Sequence, residues 1–259
     1  MDNLESFFPV LNELSRKSGA IVRRYFGQPL EVEMKSDDTP VTKADREVEE
    51  FLRVSLEKLY PGFSIYGEEY GETDKASSHR WIIDPIDGTK SFVLKTPLFG
   101  TMIALERDGL PVLGSIYFPI QDLHLIGSAE TGTFLNGERC QVSQTTRLSD
   151  ATMLVTDPRS LIDHRNSPSL LKLSRKVRLV RGMGDCYGYY LVARGLADVM
   201  IEPGELAYYD VAPLHPILSG AGGHFTNLSG EVEFKSGQGL ATNHLLHQEI
   251  LNVIRPDKQ

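Results

Sequence analysis

Two carboxylates stand at the end of an apolar stretch of the sequence. The run Trp81-Ile82-Ile83 leads directly into Asp84-Pro85-Ile86-Asp87-Gly88-Thr89. Pro85 restricts the backbone between the two aspartates, and Gly88 permits a tight turn after them. Carboxylates at a strand's end project into the crevice beyond the sheet, where α/β proteins bind ligands. Two anions this close repel each other unless a cation neutralises them, and Mg²⁺ prefers oxygen ligands of this kind.

Further acidic residues lie where predicted strands or helices begin or end. Gly67-Glu68-Glu69 follows a predicted strand, Asp45 lies in the first turn of a predicted helix, and Asp210 begins another. Each has a structural explanation when taken alone. Asp45 is then a charge at a helix N-terminus, Asp210 an N-cap, and Asp87-Gly88 a common turn. Taken together, these residues predict a carboxylate metal site.

Four segments, in this order along most of the chain, resemble the inositol monophosphatase family. They are 39–45, 67–69, 81–89, and 209–212 leading to 220–223. The resemblance implies an α+β fold, the layered αβαβα sandwich of the inositol monophosphatase (sugar phosphatase) type. It also implies magnesium-dependent hydrolysis of a small-molecule phosphate monoester.

The resemblance also implies a role for each matched residue. Two or three Mg²⁺ ions per active site would be held by oxygen atoms of Glu68, Asp84, Ile86 (through its carbonyl), Asp87 and Asp210. Asp84 would be shared by two of the ions. Asp45 and Thr89 would orient and deprotonate the attacking water, and the N–H groups of Gly88 and Thr89 would bind phosphate oxygens. No covalent phosphoenzyme is required.

Residues in the second half of the chain bear on the alcohol part of the substrate. Gly184-Asp185-Cys186-Tyr187-Gly188-Tyr189 resembles the histidinol-phosphate phosphatase branch, whereas inositol-specific relatives usually carry small uncharged residues at the position of Asp185. A carboxylate there favours the cationic histidinol through a charge-assisted hydrogen bond, although an N-cap is the structural alternative. Relatives carry another acidic substrate contact seven positions before the last aspartate. A one-residue insertion makes Glu202 the candidate here, with Glu205 as the alternative.

The sequence therefore predicts hydrolysis of L-histidinol phosphate to histidinol and phosphate. An inositol monophosphatase or a broad-specificity sugar-phosphate phosphatase is the alternative. A nucleotide 3′-phosphatase fits less well because the insertions common in that branch are absent. A non-catalytic metal-binding protein would not need the water-activating pair Asp45 and Thr89. The resemblance further implies a homodimer and sensitivity to lithium.

Hydrophobic periodicity predicts the elements that position these residues. An amphipathic helix is predicted from Leu4 to Tyr25, with Asp2 and Glu5 at its start and Gly27 at its end, and a second over Lys43–Leu59, capped by Thr42. Strands are predicted at 63–66, 81–83, 100–106, 112–117 and 124–127, with a tight turn at Asn136-Gly137.

After Ala151 the predicted strands and helices alternate. The strands are Thr152–Val155, 177–180, 199–201 and Gly223–Thr226, and the helices are Ser167–Ser174, 186–194, 209–219 and 241–252. We therefore expect an N-terminal α+β lobe over residues 1–148 and a C-terminal α/β lobe over residues 149–259. The site is expected where the two lobes meet.

Composition excludes several other classes of protein. The 259 residues carry a net charge of −8, which argues against a nucleic-acid partner. Cys140 and Cys186 are too few for a disulfide framework, and no apolar run approaches the roughly 18 residues of a membrane span. The N-terminal residues lack the basic cluster of a signal peptide. A cytoplasmic enzyme with a small-molecule substrate is the expectation.

Overall fold

The computed structural model describes residues 3–29, 32–34, 40–163 and 167–255. Two residues used in the sequence predictions lie outside these ranges. They are Asp2, at the predicted start of the first helix, and Thr39, in the first segment that resembles the family. The helices are α1 (Phe8–Tyr25), α2 (Lys43–Leu59), α3 (Thr89–Val93), α4 (Ser160–Asp163), α5 (Ser167–Ser174), α6 (Asp185–Ala193), α7 (Tyr208–Val211), α8 (Leu214–Gly220) and α9 (His247–Ile254). Short 3₁₀ turns span Leu4–Phe7 and Leu148–Asp150.

The strands fall into three sheets within these ranges. They are β1 (Val32–Met34), β2 (Pro40–Thr42), β3 (Ser64–Gly67), β4 (Gly71–Thr73), β5 (His79–Asp87), β6 (Gly100–Arg107), β7 (Leu110–Phe118), β8 (Leu123–Ser128), β9 (Gly132–Leu135), β10 (Glu138–Cys140), β11 (Thr152–Val155), β12 (Leu179–Gly182), β13 (Val199–Glu202), β14 (Gly223–Thr226) and β15 (Gly239–Asn243). An eight-stranded sheet has the order β10-β9-β8-β7-β6-β5-β3-β4, and a five-stranded sheet has the order β12-β11-β13-β15-β14. The strands β1 and β2 form a separate antiparallel pair.

Helices cover both sheets and also fill the space between them. On the outside of the large sheet, Leu11 of α1 and Leu52 of α2 pack with Ile83 and Leu105. Between the sheets lie α6 and α8, which pack against both. On the far side, α5 and α9 pack on the small sheet. The result is the layered αβαβα arrangement that the sequence predicts, in which helices cover the apolar faces of the two sheets.

The one parallel pairing in the large sheet brings two chain segments to the same edge. Strands β3 and β5 run in the same direction, and Gly67 is the register partner of Ile83. The backbone N–H of Glu68 then donates to the carbonyl of Ile83 at 3.2 Å. Glu68 and Asp84 therefore leave the sheet side by side, since the carboxyl ends of parallel strands meet at one edge.

A β-bulge sets the direction of the two aspartates on β5. Asp84 is opposite Met102 and Asp87 is opposite Gly100, so β5 carries one residue more than β6 between these pairs. In a regular strand, residues three apart point to opposite faces. The extra residue removes that alternation and lets the carboxylates of both aspartates join one cluster. The carbonyl of Pro85, inside the bulge, accepts a hydrogen bond from Thr101 Oγ1 at 2.8 Å.

The structure corrects two predicted helices in the C-terminal half. The predicted helix 241–252 is wrong at its start, because Gly239–Asn243 is the buried strand β15 and α9 begins only at His247. The predicted helix 209–219 is divided into α7 and α8, with Pro213 as the N-cap of α8. Pro216 lies in the first turn of α8, where the missing N–H has no helical partner to lose. The division into lobes at residue 148 stays a prediction.

The packing of α2 on the large sheet generates a stability prediction. Leu52 is completely buried beneath the helix, whereas Val54 is 64% exposed on its opposite face. We expect Leu52→Ala to lower the free energy of unfolding by about 2–5 kcal/mol, since it removes buried methyl groups and leaves a cavity. Val54→Ala should change it by less than about 0.5 kcal/mol. Urea denaturation of the two variants checks this, and equal losses would contradict the assigned inner face.

Candidate active site

Three aspartates from distant parts of the chain form a close cluster. Carboxylate oxygens of Asp84, Asp87 and Asp210 all lie within 4.8 Å of one another. Asp84 and Asp87 come from the end of β5, and Asp210 comes from the short helix α7. Of the described residues, this is the group of acidic, histidine or cysteine side chains with the spacing of a metal site. The cluster thus joins residues from the first and the second half of the chain.

Backbone N–H groups fix two of the three aspartates. Asp210 is the third residue of α7 and accepts a hydrogen bond from the N–H of Ala207 at 2.6 Å. The N-cap itself is Ala207, so the structure corrects the explanation of Asp210 as an N-cap. Asp87 Oδ2 accepts a hydrogen bond from the N–H of Cys186. Because Cys186 belongs to α6, this bond joins the two halves of the chain directly at the site.

Burial and mutual repulsion make the carboxylates resist ionisation. Burial, and then the charges of Glu68 and Asp87, raise the pKa of Asp84 well above its ordinary value. Burial, and then the charges of Asp185 and Asp210, do the same for the pKa of Asp87. Burial raises the pKa of Asp210 to about 7. The ionised cluster is therefore unfavourable unless an opposite charge enters it.

The donor set fits a hard divalent cation. Asp84 Oδ1 is a buried oxygen that receives no hydrogen bond. A buried acceptor without a donor is costly, and a cation in contact with it removes that cost. The cluster presents carboxylate oxygens alone, which is the ligand chemistry that Mg²⁺ prefers over softer metals.

The other residues predicted as metal ligands lie at the border of this cluster. The charge of Glu68 raises the pKa of Asp84 and that of Asp210, so its carboxylate is close enough to act on both. Glu68 is not part of the tight group of three. The carbonyl of Ile86 accepts a hydrogen bond from Thr89 Oγ1 at 3.0 Å, and its second lone pair remains.

Asp45 is buried at the start of α2. Its Oδ2 accepts hydrogen bonds from the N–H of Thr42 at 2.8 Å and from Thr42 Oγ1 at 2.6 Å, which completes a capping box. Burial raises the pKa of Asp45 to about 7, and the charges of Glu68 and Glu69 act in the same direction. A group with this pKa is suited to accept a proton near neutral pH. Both capping bonds fall on Oδ2, so Oδ1 is the oxygen that they leave for a ligand.

The predicted phosphate-binding turn begins a helix, as the sequence indicates. Gly88 is the N-cap of α3 and has a φ of 84°, a left-handed conformation that favours glycine. A side chain at this position would meet the carbonyl oxygen of Leu98 at 3.0 Å and the carboxylate of Asp185 at 3.1 Å. The N–H of Thr89 lies in the first turn, where helical N–H groups have no partner within the helix.

A cavity of about 490 Å³ extends from the cluster into the second half of the chain. Its lining contains Asp87, Lys90, Thr156, Asp157, Arg159, Ser160, Asp185, Cys186, Tyr189, Glu202, Pro203, Gly204, Glu205, Leu206 and Asp210. The residues predicted to contact the alcohol part of the substrate are thus brought to one cavity together with two of the clustered aspartates. Sequence reasoning missed Lys90 and Thr156. Lys90 directly follows the Asp84–Thr89 motif, whereas no local signal marks Thr156.

Asp185 does not cap the helix that it begins. The N-cap of α6 is Gly184, and Asp185 is the first helical residue, with a φ of 52°. The N–H of Asp185 donates to Thr156 Oγ1 at 3.0 Å, which holds the backbone in this left-handed conformation. Burial raises the pKa of Asp185 to about 6, while the charge of Lys90 lowers it. The structural alternative of an N-cap is therefore removed.

Glu202 is buried on β13 and its two oxygens are held separately. Thr156 Oγ1 donates to Oε1 and the hydroxyl of Tyr189 donates to Oε2 at 2.6 Å. Burial raises the pKa of Glu202 to about 7. Glu205, the alternative, is exposed at the same cavity and has a φ of 76°. A carboxylate oxygen accepts more than one hydrogen bond, so Glu202 keeps capacity for a ligand.

Comparison with known proteins identifies the family of the chain. Residues 3–258 match the model of the inositol monophosphatase family. The chain is 38% identical over 244 residues to the histidinol-phosphatase of Chlorobaculum parvum, and the alignment covers 93% of this chain and 94% of that protein. It is 31% identical to the inositol-1-monophosphatase of Mesorhizobium japonicum, which covers 95% of each. A solved inositol monophosphatase structure from Zymomonas mobilis superposes with a TM-score of 0.86 at 34% identity, covering 98% and 99% of the chains.

The repulsion in the cluster predicts an unusual effect of removing one carboxylate. The folded-state pKa of Asp84 lies above its unfolded value, so the protonated form stabilises the fold at low pH and this contribution is lost as pH rises. We expect Asp84→Asn, measured in chelator, to melt at a higher temperature than the wild type at pH 8. The difference should shrink at pH 5.

With Mg²⁺ present, the turnover of the same variant should fall at least about a hundredfold. Removing a residue that only hydrogen-bonds to a metal ligand already lowers metal affinity or activity by about 10–100-fold, and Asp84 is proposed to be a ligand itself. Asp150→Asn, which removes an exposed carboxylate paired with Arg147 at 2.7 Å, is the matched control and should change neither quantity. Wild-type turnover in Asp84→Asn would exclude Asp84 as a shared ligand.

Proposed function

The chain belongs to the inositol monophosphatase family and is a phosphoric monoester hydrolase. From this we propose that it is a Mg²⁺-dependent phosphatase of L-histidinol phosphate. The reaction adds water to phosphorus, breaks the bond between phosphorus and the alcohol oxygen, and returns a proton to that oxygen. The observation that carries the choice of substrate is the carboxylate of Asp185, which lines the cavity beside the cluster and caps no helix.

The acidic cluster supports the metal-dependent part of the proposal. Glu68, Asp84, the carbonyl of Ile86, Asp87 and Asp210 would hold two or three Mg²⁺ ions. Divalent cations bound there offset the charge of the carboxylates, lower the pKa of water and stabilise charge on the leaving alcohol oxygen. The fixed carboxylates contribute by being in position before the substrate arrives, since phosphoryl transfer depends mainly on positioning and electrostatic stabilisation.

Residues of this chain would move the proton and hold the phosphate. Asp45, with a pKa of about 7 before any cation binds, is the proposed base for the attacking water. Thr89 would orient that water through its hydroxyl group. The backbone N–H groups of Gly88 and Thr89, at the start of α3, would donate to phosphate oxygens.

The alcohol part of the substrate would occupy the cavity beyond the cluster. Histidinol carries an ammonium group and an imidazole, whereas inositol is neutral. Asp185, and Glu202 or Glu205 behind it, give this cavity a negative lining suited to a cation. Neutral polyols gain no charge-assisted hydrogen bond from such a lining. The likeness to a protein named histidinol-phosphatase at 38% identity supports the same choice.

An inositol monophosphatase or broad sugar-phosphate phosphatase remains the second candidate function. The Mesorhizobium japonicum relative carries the name inositol-1-monophosphatase, and its likeness covers 95% of this chain. The metal site recognises the phosphate group, which both substrates share. Discrimination between the two substrates therefore depends on the cavity residues alone.

The proposal also includes a homodimer and inhibition by lithium, which membership of the family implies. No helix within the described ranges is long and apolar enough to cross a bilayer.

The first test of the proposal is phosphate release from two esters in parallel. We expect a higher kcat/KM for histidinol phosphate than for inositol 1-phosphate, because only the first presents a cation to Asp185. Chelation should abolish turnover of both esters, and added Mg²⁺ should restore it. Equal or reversed preference would favour the second candidate function. Full turnover after exhaustive metal removal would reject the metal-dependent mechanism.

The second test isolates Asp185. We expect Asp185→Asn to lower kcat/KM for histidinol phosphate roughly 10-fold to 150-fold. This corresponds to a loss of about 1.5–3 kcal/mol in transition-state stabilisation, the usual contribution of a hydrogen bond to a charged group. Turnover of glycerol 2-phosphate should change little, because that ester lacks a cation.

Asp157→Asn is the matched control for this substitution. Asp157 also lines the cavity, but its carboxylate already accepts hydrogen bonds from the Arg159 side chain at 2.7 and 3.0 Å. The control should affect the two esters alike. An equal loss on both esters in Asp185→Asn would show that Asp185 supports the site without choosing the substrate.

A further inference from the structure

A completely buried carboxylate lies behind the turn that carries Glu68. Glu49 is on α2, one helical turn after Asp45, and its side chain has no exposed surface. It belongs neither to the acidic cluster nor to the cavity. A buried charge of this kind is costly unless it is paired and hydrogen-bonded, so its partners indicate what it does.

The partners of Glu49 are the backbone of the Glu68 turn and one arginine. Glu49 Oε2 accepts from the N–H of Glu69 at 2.6 Å, and Oε1 accepts from the N–H of Tyr70 at 3.1 Å. Arg53, one turn later on the same helix, donates from Nε to Oε1 at 2.7 Å. The carboxylate therefore binds two consecutive N–H groups of the turn between β3 and β4.

The same arginine reaches the other strand of this hairpin. Arg53 Nη2 donates to the carbonyl of Gly71, and Nη1 lies 3.3 Å from Thr73 Oγ1. Gly71 is the register partner of Gly67, so these two residues close the turn that contains Glu68. Glu49 and Arg53 thus hold the turn at its tip and at its outgoing strand.

The glycine before Glu68 is required by this contact. A Cβ atom on Gly67 would lie 2.2 Å from Glu49 Oε1 and 2.5 Å from Glu49 Cδ. Real Cβ atoms do not approach other atoms so closely, so only glycine lets the carboxylate lie against the strand. The Gly-Glu pattern that marks the first metal ligand in the sequence therefore depends on Glu49 as well.

Stability alone explains this arrangement poorly. A buried ion pair is weak evidence for stabilisation, because desolvation of the two charges offsets much of their attraction. Its two backbone hydrogen bonds, however, fix the turn that also carries Glu68, and the charge of Glu68 acts on Asp84 and Asp210 in the acidic cluster. The neighbouring residue on the same helix face, Asp45, is the proposed base, so α2 sets the position of both groups relative to β5.

We propose that Glu49 is a positioning residue that orients Glu68 for metal binding through the backbone of Glu69 and Tyr70, with Arg53 as its support. The inference rests on the proposed function only in naming Mg²⁺ as the ion. Partners behind metal ligands typically change metal affinity by 10–100-fold when they are removed. Glu49→Gln keeps the shape of the side chain but replaces one oxygen by a donor group, which opposes the N–H of the turn.

The test measures Mg²⁺ binding directly, by titration calorimetry and by the Mg²⁺-dependent rise in melting temperature. We expect Glu49→Gln to weaken the apparent affinity for Mg²⁺ by about 10–100-fold, while kcat at saturating Mg²⁺ returns close to the wild-type value. Glu57→Gln is the matched control, since Glu57 is an exposed carboxylate on α2 paired with Lys75 at 2.9 Å. Its affinity for Mg²⁺ should stay within twofold of wild type.

Arg53→Lys separates geometry from charge and covers the case in which Glu49→Gln fails to fold. It keeps the positive charge beside Glu49 but loses the planar fork that binds Gly71 and Thr73. We expect weaker Mg²⁺ binding in the same direction. Unchanged Mg²⁺ affinity in folded Glu49→Gln, or in Arg53→Lys if the first variant does not fold, overturns the inference, whatever the change in melting temperature. Absence of Mg²⁺ binding in the wild type would instead reject the proposed function.

Discussion

Like charges meet in the cluster of carboxylates, and the fold around the cluster has to offset their repulsion. Carboxylate oxygens of Asp84, Asp87 and Asp210 lie within 4.8 Å of one another, with Asp84 buried and the other two half-buried. Such a cluster opposes folding whenever its members ionise. The surrounding fold must therefore hold each carboxylate by contacts that do not neutralise it, because a cationic side chain in the cluster would occupy the place proposed for a metal ion.

Backbone N–H groups meet this requirement. Asp45, Asp87 and Asp210 each accept a hydrogen bond from a main-chain N–H, of Thr42, Cys186 and Ala207 respectively. A backbone donor orients a carboxylate without bringing a full positive charge or a flexible side chain. Among the described contacts of these three aspartates, the donors are backbone and hydroxyl groups rather than lysine or arginine. The orientation of the ligands is thus built from helix starts and turns, which are rigid and cost little side-chain entropy.

The residues proposed for the chemistry and those proposed for substrate choice lie in different parts of the fold. The large sheet, α2 and α7 carry the residues proposed to bind the metal ions and the phosphate group. The cavity beyond them is lined by the start of α6 and the end of β13, where Asp185 and Glu202 lie. On this proposal, substitutions at the cavity would change the alcohol that is accepted and leave the metal-binding residues intact. This separation explains how relatives named for different substrates share the fold.

The type of side chain expected at the site, and most of the elements that support it, could be predicted from the sequence alone. Acidic residues at strand ends and helix starts predicted a carboxylate metal site, and periodicity located α2, β11, α5 and β14 at the residues observed. Those features are local, because they depend on backbone preference and on the spacing of apolar residues. Only the tertiary structure decided that the β5 bulge turns Asp84 and Asp87 to one side, that Asp185 caps no helix, and that Glu49 supports the Glu68 turn. Each of these follows from contacts between segments distant in the chain, and packing between surfaces leaves no local signal in the sequence.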